Sequence, residues 1–354
     1  MEFIKPGINI DFLGKHNAAF AFSAILIVAT IFLLIWRGGP NYGVDFSGGV
    51  LIQVKLDQKR APSELKSALR SVNLQDSIIQ EFGEEGQFEY LIRVRETDIE
   101  LTGFSDKVKQ ALIAEFGQGV EMRRVEMVGP KVGEDLREKA LFAIFYAILF
   151  IAIYISGRFE LKWLMSIVMA LSLAFVVYIT SSFGVSVTWL IVIAMVVTLG
   201  LCWLLKLKYA LGAIIALIHD VTITVGAFAL TDREISLSII AAVLTIIGYS
   251  LNDTIVVFDR IRENMRRFRR RPFEEVINLS INETLSRTIL TSTTTLVVVL
   301  ALFVLGGGVI HDFAFAILIG IIVGTYSSIF VASPVILIWE SSFAKRRGKA
   351  SRKK

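Results

Sequence analysis

The chain has 354 residues, 54% of them hydrophobic, with a formal net charge of +5 and one cysteine, Cys202; its mean hydropathy is +0.64. Apolar residues at this level, gathered into long runs, exclude an ordinary soluble domain, and a lone cysteine excludes a disulfide framework and leaves no zinc-ligand spacing. The basic residues sit beside the apolar runs, so the positive charge gives no sign of nucleic acid.

A hydrocarbon core about 30 Å thick takes roughly 20 apolar residues as helix. Eight blocks qualify: residues 17–36, 140–156, 163–182, 185–205, 209–230, 235–258, 288–305 and 309–339. The first exceeds the roughly 7–15 apolar residues of a signal peptide and has no small-residue cleavage site after Trp36, so it reads as an anchor. The last is long enough to tilt, or to break near Pro334. The fold class expected is an α-helical polytopic membrane protein with eight transmembrane helices.

Charge orients the blocks. Lys5, Lys15 and His16 precede the first, Arg158 and Lys162 follow the second, and Lys206 and Lys208 separate the fourth from the fifth. Residues 259–285 are arginine-rich, and the tail from 340 onward is basic, with Lys345, Arg346 and Arg347. All these flanks share one side if every block spans. The opposite short loops hold only Arg233. The positive-inside rule then predicts a multi-pass membrane protein with both termini cytoplasmic, and residues 37–139 outside.

The outer segment alternates at Val50, Ile52, Val54 and Leu56, as a strand does. Residues 62–72 put Leu65, Leu69 and Val72 on one helical face, and 77–82 and 88–95 read as strands around a turn at 83–86. Residues 104–116 form a second helix and 120–128 a last strand. The order βαββαβ matches a ferredoxin-like unit between helices one and two. The segment has no His or Cys, and acidic residues such as Glu81, Glu84 and Glu85 suit a solvated surface. It therefore predicts docking, with no enzyme activity and no cofactor or metal. The run Gly43-Val44-Asp45-Phe46-Ser47-Gly48-Gly49 is not a nucleotide loop: it precedes a strand and opens no helix after one.

Ionisable groups inside a span cost roughly 2.5–3.5 kcal/mol each at mid-depth, so they call for a reason. His219 and Asp220 lie near the middle of the fifth block, Asn252 and Asp253 in the sixth, and Arg287 opens the seventh ahead of Thr288, Thr291, Ser292, Thr293, Thr294 and Thr295. That seventh helix is expected to face the bundle interior. Two carboxylates with a basic partner are the materials of a proton relay. Structural alternatives stand beside this reading: Arg287 snorkelling to the surface, Asp253 at the interface, and His219 with Asp220 as a mutually satisfied pair. Ala316, Gly320, Gly324 and Ser328 recur every four residues as a helix-packing stripe.

Four motifs resemble the SecF family of export proteins. Residues 251–264, Leu-Asn-Asp-Thr-Ile-Val-Val-Phe-Asp-Arg-Ile-Arg-Glu-Asn, are similar to that family's signature at the end of its fourth helix. Residues 216–221 resemble its third helix, 285–288 the start of its fifth, and 43–49, with Gly43, Asp45, Phe46, Gly48 and Gly49, its motif outside the first helix. The resemblance implies a subunit that works with SecD, the SecYEG channel and YajC on an exported unfolded polypeptide, driven by the proton-motive force. It also implies a membrane part like that of resistance-nodulation-division exporters, with Asp253 as relay aspartate and Arg287 as its basic partner. The family has six spans; residues 163–205 add two, which keeps the downstream orientation. This pair carries no acidic residue or His within its spans and is expected at the periphery. Two other classes compete: half of a small-molecule exporter, and a scaffold that transports nothing. Co-purification with SecD separates the motor and scaffold readings from the drug exporter.

Overall fold

The computed structural model describes residues 8–74, 77–82, 86, 88–94, 103–160, 163–183 and 185–351. Most of the expected 83–86 turn, with Glu84 and Glu85, lies outside them, as do Lys5, Arg95, Lys162, Gly184 and residues 352–354.

Helix α1 (His16–Trp36) leads into a short helix α2 (Val44–Ser47) and then an α/β domain. Its elements are β1 (Gly49–Lys55), α3 (Pro62–Ala68), β2 (Ile78–Phe82), β3 (Glu89–Val94), α4 (Phe104–Phe116) and β4 (Glu121–Val128). Pro62 opens α3, where its missing N–H costs nothing. The strands form one sheet in the order β2-β3-β1-β4, every neighbouring pair antiparallel. Ile52 stands opposite Ile92 on one side and Val125 on the other. Val50, Ile52 and Val54 are buried and join Leu65, Leu69, Val108 and Leu112 in a core of their own. Tyr90 ties the rim: its hydroxyl donates to the Arg60 carbonyl and accepts the Arg60 N–H, both at 2.7 Å.

The chain then forms α5 (Pro130–Glu160), α6 (Trp163–Ser182), α7 (Val187–Leu204), α8 (Lys208–Leu230), α9 (Leu237–Arg267), α10 (Phe273–Leu305), α11 (Gly308–Ser327) and α12 (Ser333–Ser351). Among the described residues they supply, with α1, eight stretches long and apolar enough to cross a membrane, α11 and α12 counting as one. Three helices outrun their apolar blocks. α5 starts at Pro130, and its polar first turns pack on α2. α9 and α10 extend past the apolar boundary and meet across a short turn, so the arginine-rich segment is largely helical.

A single π-helical turn, Ser328–Ala332, joins α11 to α12. Pro334 follows it, and the wider turn absorbs the ring clash and missing donor that a proline brings to a helix interior. The Ser333 hydroxyl returns a bond to the Ser328 carbonyl at 2.9 Å. The added pair sits at the bundle edge. α6 packs on α5 and α7, and α7 packs on α5 and α8. Most of its apolar surface faces outward, although Met169, Ala194 and Cys202 are buried.

The expectation that α10 turns its hydroxyls inward is corrected. Thr288 and Ser292 are buried, but Thr293 and Thr294 are exposed. The hydroxyls of Thr291, Thr294 and Thr295 donate to carbonyls of their own helix, three or four residues back. A spanning helix thereby satisfies threonines without help from a neighbour.

Candidate functional site

Among the described residues, two buried carboxylates lie in the bundle, on adjacent helices α8 and α9. Asp220 is fully buried and His219 nearly so. Asp220 Oδ1 meets His219 Nδ1 at 2.9 Å; its Oδ2 accepts from Ser250 Oγ of α9 at 2.5 Å and Ser327 Oγ of α11 at 2.8 Å. His219 Nε2 lies 3.1 Å from Ser23 Oγ of α1, which is 3.1 Å from the Tyr326 hydroxyl; that hydroxyl donates to the Ala19 carbonyl at 2.9 Å. The His219 and Tyr326 rings stack, centroids 5.9 Å apart. Helices α8, α9 and α11 thus close around one carboxylate, and α1 joins them through His219. Full satisfaction makes such a network stabilising in a low-dielectric interior.

The Tyr326 hydrogen goes to the Ala19 carbonyl, so the single Ser23 hydrogen serves either His219 Nε2 or Tyr326, and the bond it does not make needs its hydrogen from the partner.

Asp253 is also buried, at 3% exposure, but it is less well met. Ser292 Oγ of α10 lies 3.4 Å from Asp253 Oδ2 and 2.7 Å from Thr325 Oγ1 of α11. Thr325 donates to the Ile321 carbonyl at 2.8 Å, which leaves Ser292 to donate to Thr325. The carboxyl therefore has spare capacity. Consecutive residues of α11 serve the two sites, Thr325 on the Asp253 side and Tyr326 with Ser327 on the Asp220 side, one turn before the π-helical turn.

Asn252 and Arg287 lie elsewhere. Both are exposed and line one polar cleft with Arg158, Asp259 and Glu283, between α5, α9 and α10. No ion pair within 4.0 Å joins Arg287 to Asp253 among the described residues. The added side chains, Ser23, Ser250, Thr325, Tyr326 and Ser327, are ordinary polar residues in apolar runs. No sequence signal singled them out; Ser327 lies one residue before Ser328, the end of the stripe of small residues.

That stripe faces α9. A Cβ on Gly320 would collide with Ile246, and one on Gly324 would lie 2.9 Å from Ser250 Cβ. Ala316 and Ser328 are fully buried. Small residues here let α11 approach close enough for Ser250 and Ser327 to reach one oxygen.

The glycine-rich run fastens the α/β domain to the bundle. Gly43 N–H donates to the Ile235 carbonyl at 2.9 Å, and Ile235 N–H to the Asn41 carbonyl at 2.8 Å. Asp45 Oδ2 accepts the Leu237 N–H at 2.8 Å, capping α9 from 192 residues away. Phe46 is buried with Ala140, Phe228 and Ile239. Gly48 has φ +71° and ψ 168° and leaves no room: a Cβ would stand 2.9 Å from Pro130 Cα. Gly49, at φ +122°, starts β1. Arg93 of β3 pairs with Glu234 ahead of α9. Burial raises the Tyr42 phenol pKa, and Arg137, stacked 5.7 Å from its ring, partly offsets this. Among the described residues no three His, Cys, Asp or Glu side chains gather as for a metal.

A helical bundle with a carboxylate seam and one α/β domain defines a multi-pass membrane protein with polar groups inside. Comparison with known proteins places it further. The model for "Protein export membrane protein SecD/SecF, C-terminal" matches residues 108–202 and 185–342, and that for the "SecD/SecF GG Motif" matches 34–59. The two segments of the first overlap within α7, inside the added pair. The protein translocase subunit SecF of Magnetococcus marinus is 39% identical, over 96% of this chain and 95% of its own length. That of Desulfurispirillum indicum is 41% identical, over 94% and 93%. The crystal structure of SecDF, a translocon-associated membrane protein from Thermus thermophilus, superposes with TM-score 0.69 at 31% identity. It covers 95% of this chain, which spans only 39% of that longer SecDF chain. SecDF in a super-membrane-facing form gives 0.58 at 28% identity, over 100% of this chain and 41% of that one. The chain belongs to the SecF family of protein translocase subunits.

Proposed function

We propose that this protein acts with SecD at the SecYEG channel, with YajC, to promote late steps in export of unfolded polypeptides across the bacterial inner membrane, using the proton-motive force. The reading places both termini in the cytoplasm and the α/β domain outside as a ferredoxin-like module; its antiparallel β2-β3-β1-β4 order supports that assignment. It is a motor subunit, with no catalytic site and no cofactor.

The observation that carries the reading is the pair of buried carboxylates read by one turn of α11. Asp253, with a single long hydroxyl contact, is the group that exchanges a proton. Asn252 and Arg287 line the polar cleft beside it and serve as its entrance, Arg287 closing on Asp253 in one state and withdrawing in another. His219 and Asp220 form the second, saturated site. A change at either shifts α11 against α9, and the Gly43–Gly49 run, tied to the start of α9, passes that shift to the outer domain. The capping bond from Asp45 supports this coupling.

Affinity purification from native membranes tests the partner assignment. SecD should co-purify in stoichiometric amount, and should still do so with Asp253→Asn. Recovery of the chain without SecD contradicts it.

A further inference from the structure

At the end of the bundle where the arginines gather, a cavity of about 550 Å³ opens among α5, the α7–α8 turn, the last turns of α9 and α12. Five cations line it, Lys206, Lys208, Arg262, Arg266 and Arg269, against the carboxylates of Glu160 and Glu340. Both carboxylates are engaged: Glu340 takes Lys208 Nζ at 2.8 Å, and Glu160 accepts the Tyr209 N–H at 3.1 Å. Among the described residues no carboxylate lies within 4.0 Å of Arg262, Arg266 or Arg269. Arg262 and Arg266, four residues apart on α9, share a face, and Arg269 follows just past the helix end.

Two further features fit an anion here. Lys206 has φ +59°, a left-handed position that closes α7 and that glycine normally takes. Leu207 N–H bonds to the Cys202 carbonyl at 2.8 Å and locks that turn, which holds a cation on the rim. Lys208 Nζ lies 5.6, 5.2 and 5.7 Å from the ring centroids of Tyr209, Phe273 and Trp339. Aromatic rings at the ends of apolar spans mark the headgroup level, and α7 and α8 end and begin there.

We propose that this cavity binds the phosphate headgroup of an anionic phospholipid. Guanidinium forks match phosphate oxygens in pairs. Basic pockets between spanning helices suit such headgroups, and an aromatic floor of Phe159, Tyr209 and Trp339, which line the cavity, accepts the glycerol and upper acyl carbons. Free phosphate shares the charge chemistry but not that floor. This proposal is independent of the relay.

The purified full-length chain in neutral detergent is titrated with phosphatidylglycerol, phosphatidylcholine or inorganic phosphate, and bound lipid is counted by native mass spectrometry. Phosphatidylglycerol should be retained, phosphatidylcholine not, and millimolar phosphate should not displace the lipid. R262Q/R266Q/R269Q should weaken retention roughly a hundredfold, and R269Q alone roughly fivefold. If the triple variant fails to fold, R269Q carries the test, since its side chain is exposed beyond the helix end. Equal retention by wild type and R269Q, equal retention of both lipids, or displacement by phosphate overturns the proposal.

Discussion

Gly48→Ala tests how tightly the α/β domain is fastened to the bundle. At φ +71°, ψ 168° the backbone sits in a region used almost only by glycine, at a cost of roughly 1–3 kcal/mol for any other residue. The new methyl would also stand 2.9 Å from Pro130 Cα and 3.3 Å from the Val128 carbonyl oxygen. Both neighbours are backbone, and Gly133 closes the far side, 3.0 Å from Gly48 N when given a Cβ of its own. Overpacking of this kind costs about 1–3 kcal/mol. The two terms give roughly 2–6 kcal/mol, a large part of the stability of a typical domain. Gly129→Ala is the control: it adds the same methyl nearby, where nothing lies within 4 Å. Thermal unfolding of the full-length protein in detergent should show Gly48→Ala lower by at least about 4 °C, at roughly 2 °C per kcal/mol. Gly129→Ala should be nearly unchanged. Equal midpoints for the two variants would show that neither the backbone conformation nor the close packing at Gly48 excludes a side chain.

Asp220→Leu strips three buried donors of their acceptor at about 1–3 kcal/mol each. Its unfolding midpoint should fall well below that of Asp220→Asn, which keeps an acceptor oxygen; a leucine variant as stable as the asparagine one would contradict the network. With Cys202 replaced, a cysteine at Ser182 should react with an impermeant reagent on intact cells and one at Lys206 should not; the reverse pattern would invert the topology.

Long-range order was legible in the sequence where one physical rule dominated. Hydrocarbon thickness marks the eight apolar runs, and strand alternation at Val50, Ile52 and Val54 marks the face that is buried. Helix ends were less legible. The apolar count stops at the membrane boundary, whereas α5, α9 and α10 continue on hydrogen bonds and packing that hydropathy does not sense. The carboxylates stood out because charge in an apolar run is costly. Their hydroxyl partners did not: Ser23, Ser250 and Ser327 meet Asp220 or His219 only through the approach of α1, α9 and α11. The threonines of α10 misled for the opposite reason, since back-bonding to their own helix removes the need for an interior partner. Arg287 was singled out as a partner of Asp253, and the folded chain holds it in the neighbouring cleft, with no ion pair to that carboxylate among the described residues.

In the proposed mechanism Asp253 exchanges the proton that drives export. One proton crossing the membrane potential supplies about 2.3 kcal/mol per 100 mV, enough to bias a two-state bundle. Asp253→Asn keeps the shape and fixes the group neutral. The direct measurement is export of an unfolded polypeptide into inverted membrane vesicles carrying this protein with its partners, with and without an imposed proton-motive force. Asp253→Asn should abolish the stimulation by that force and leave the ATP-driven step and SecD binding intact; full stimulation in the variant would remove Asp253 from the mechanism.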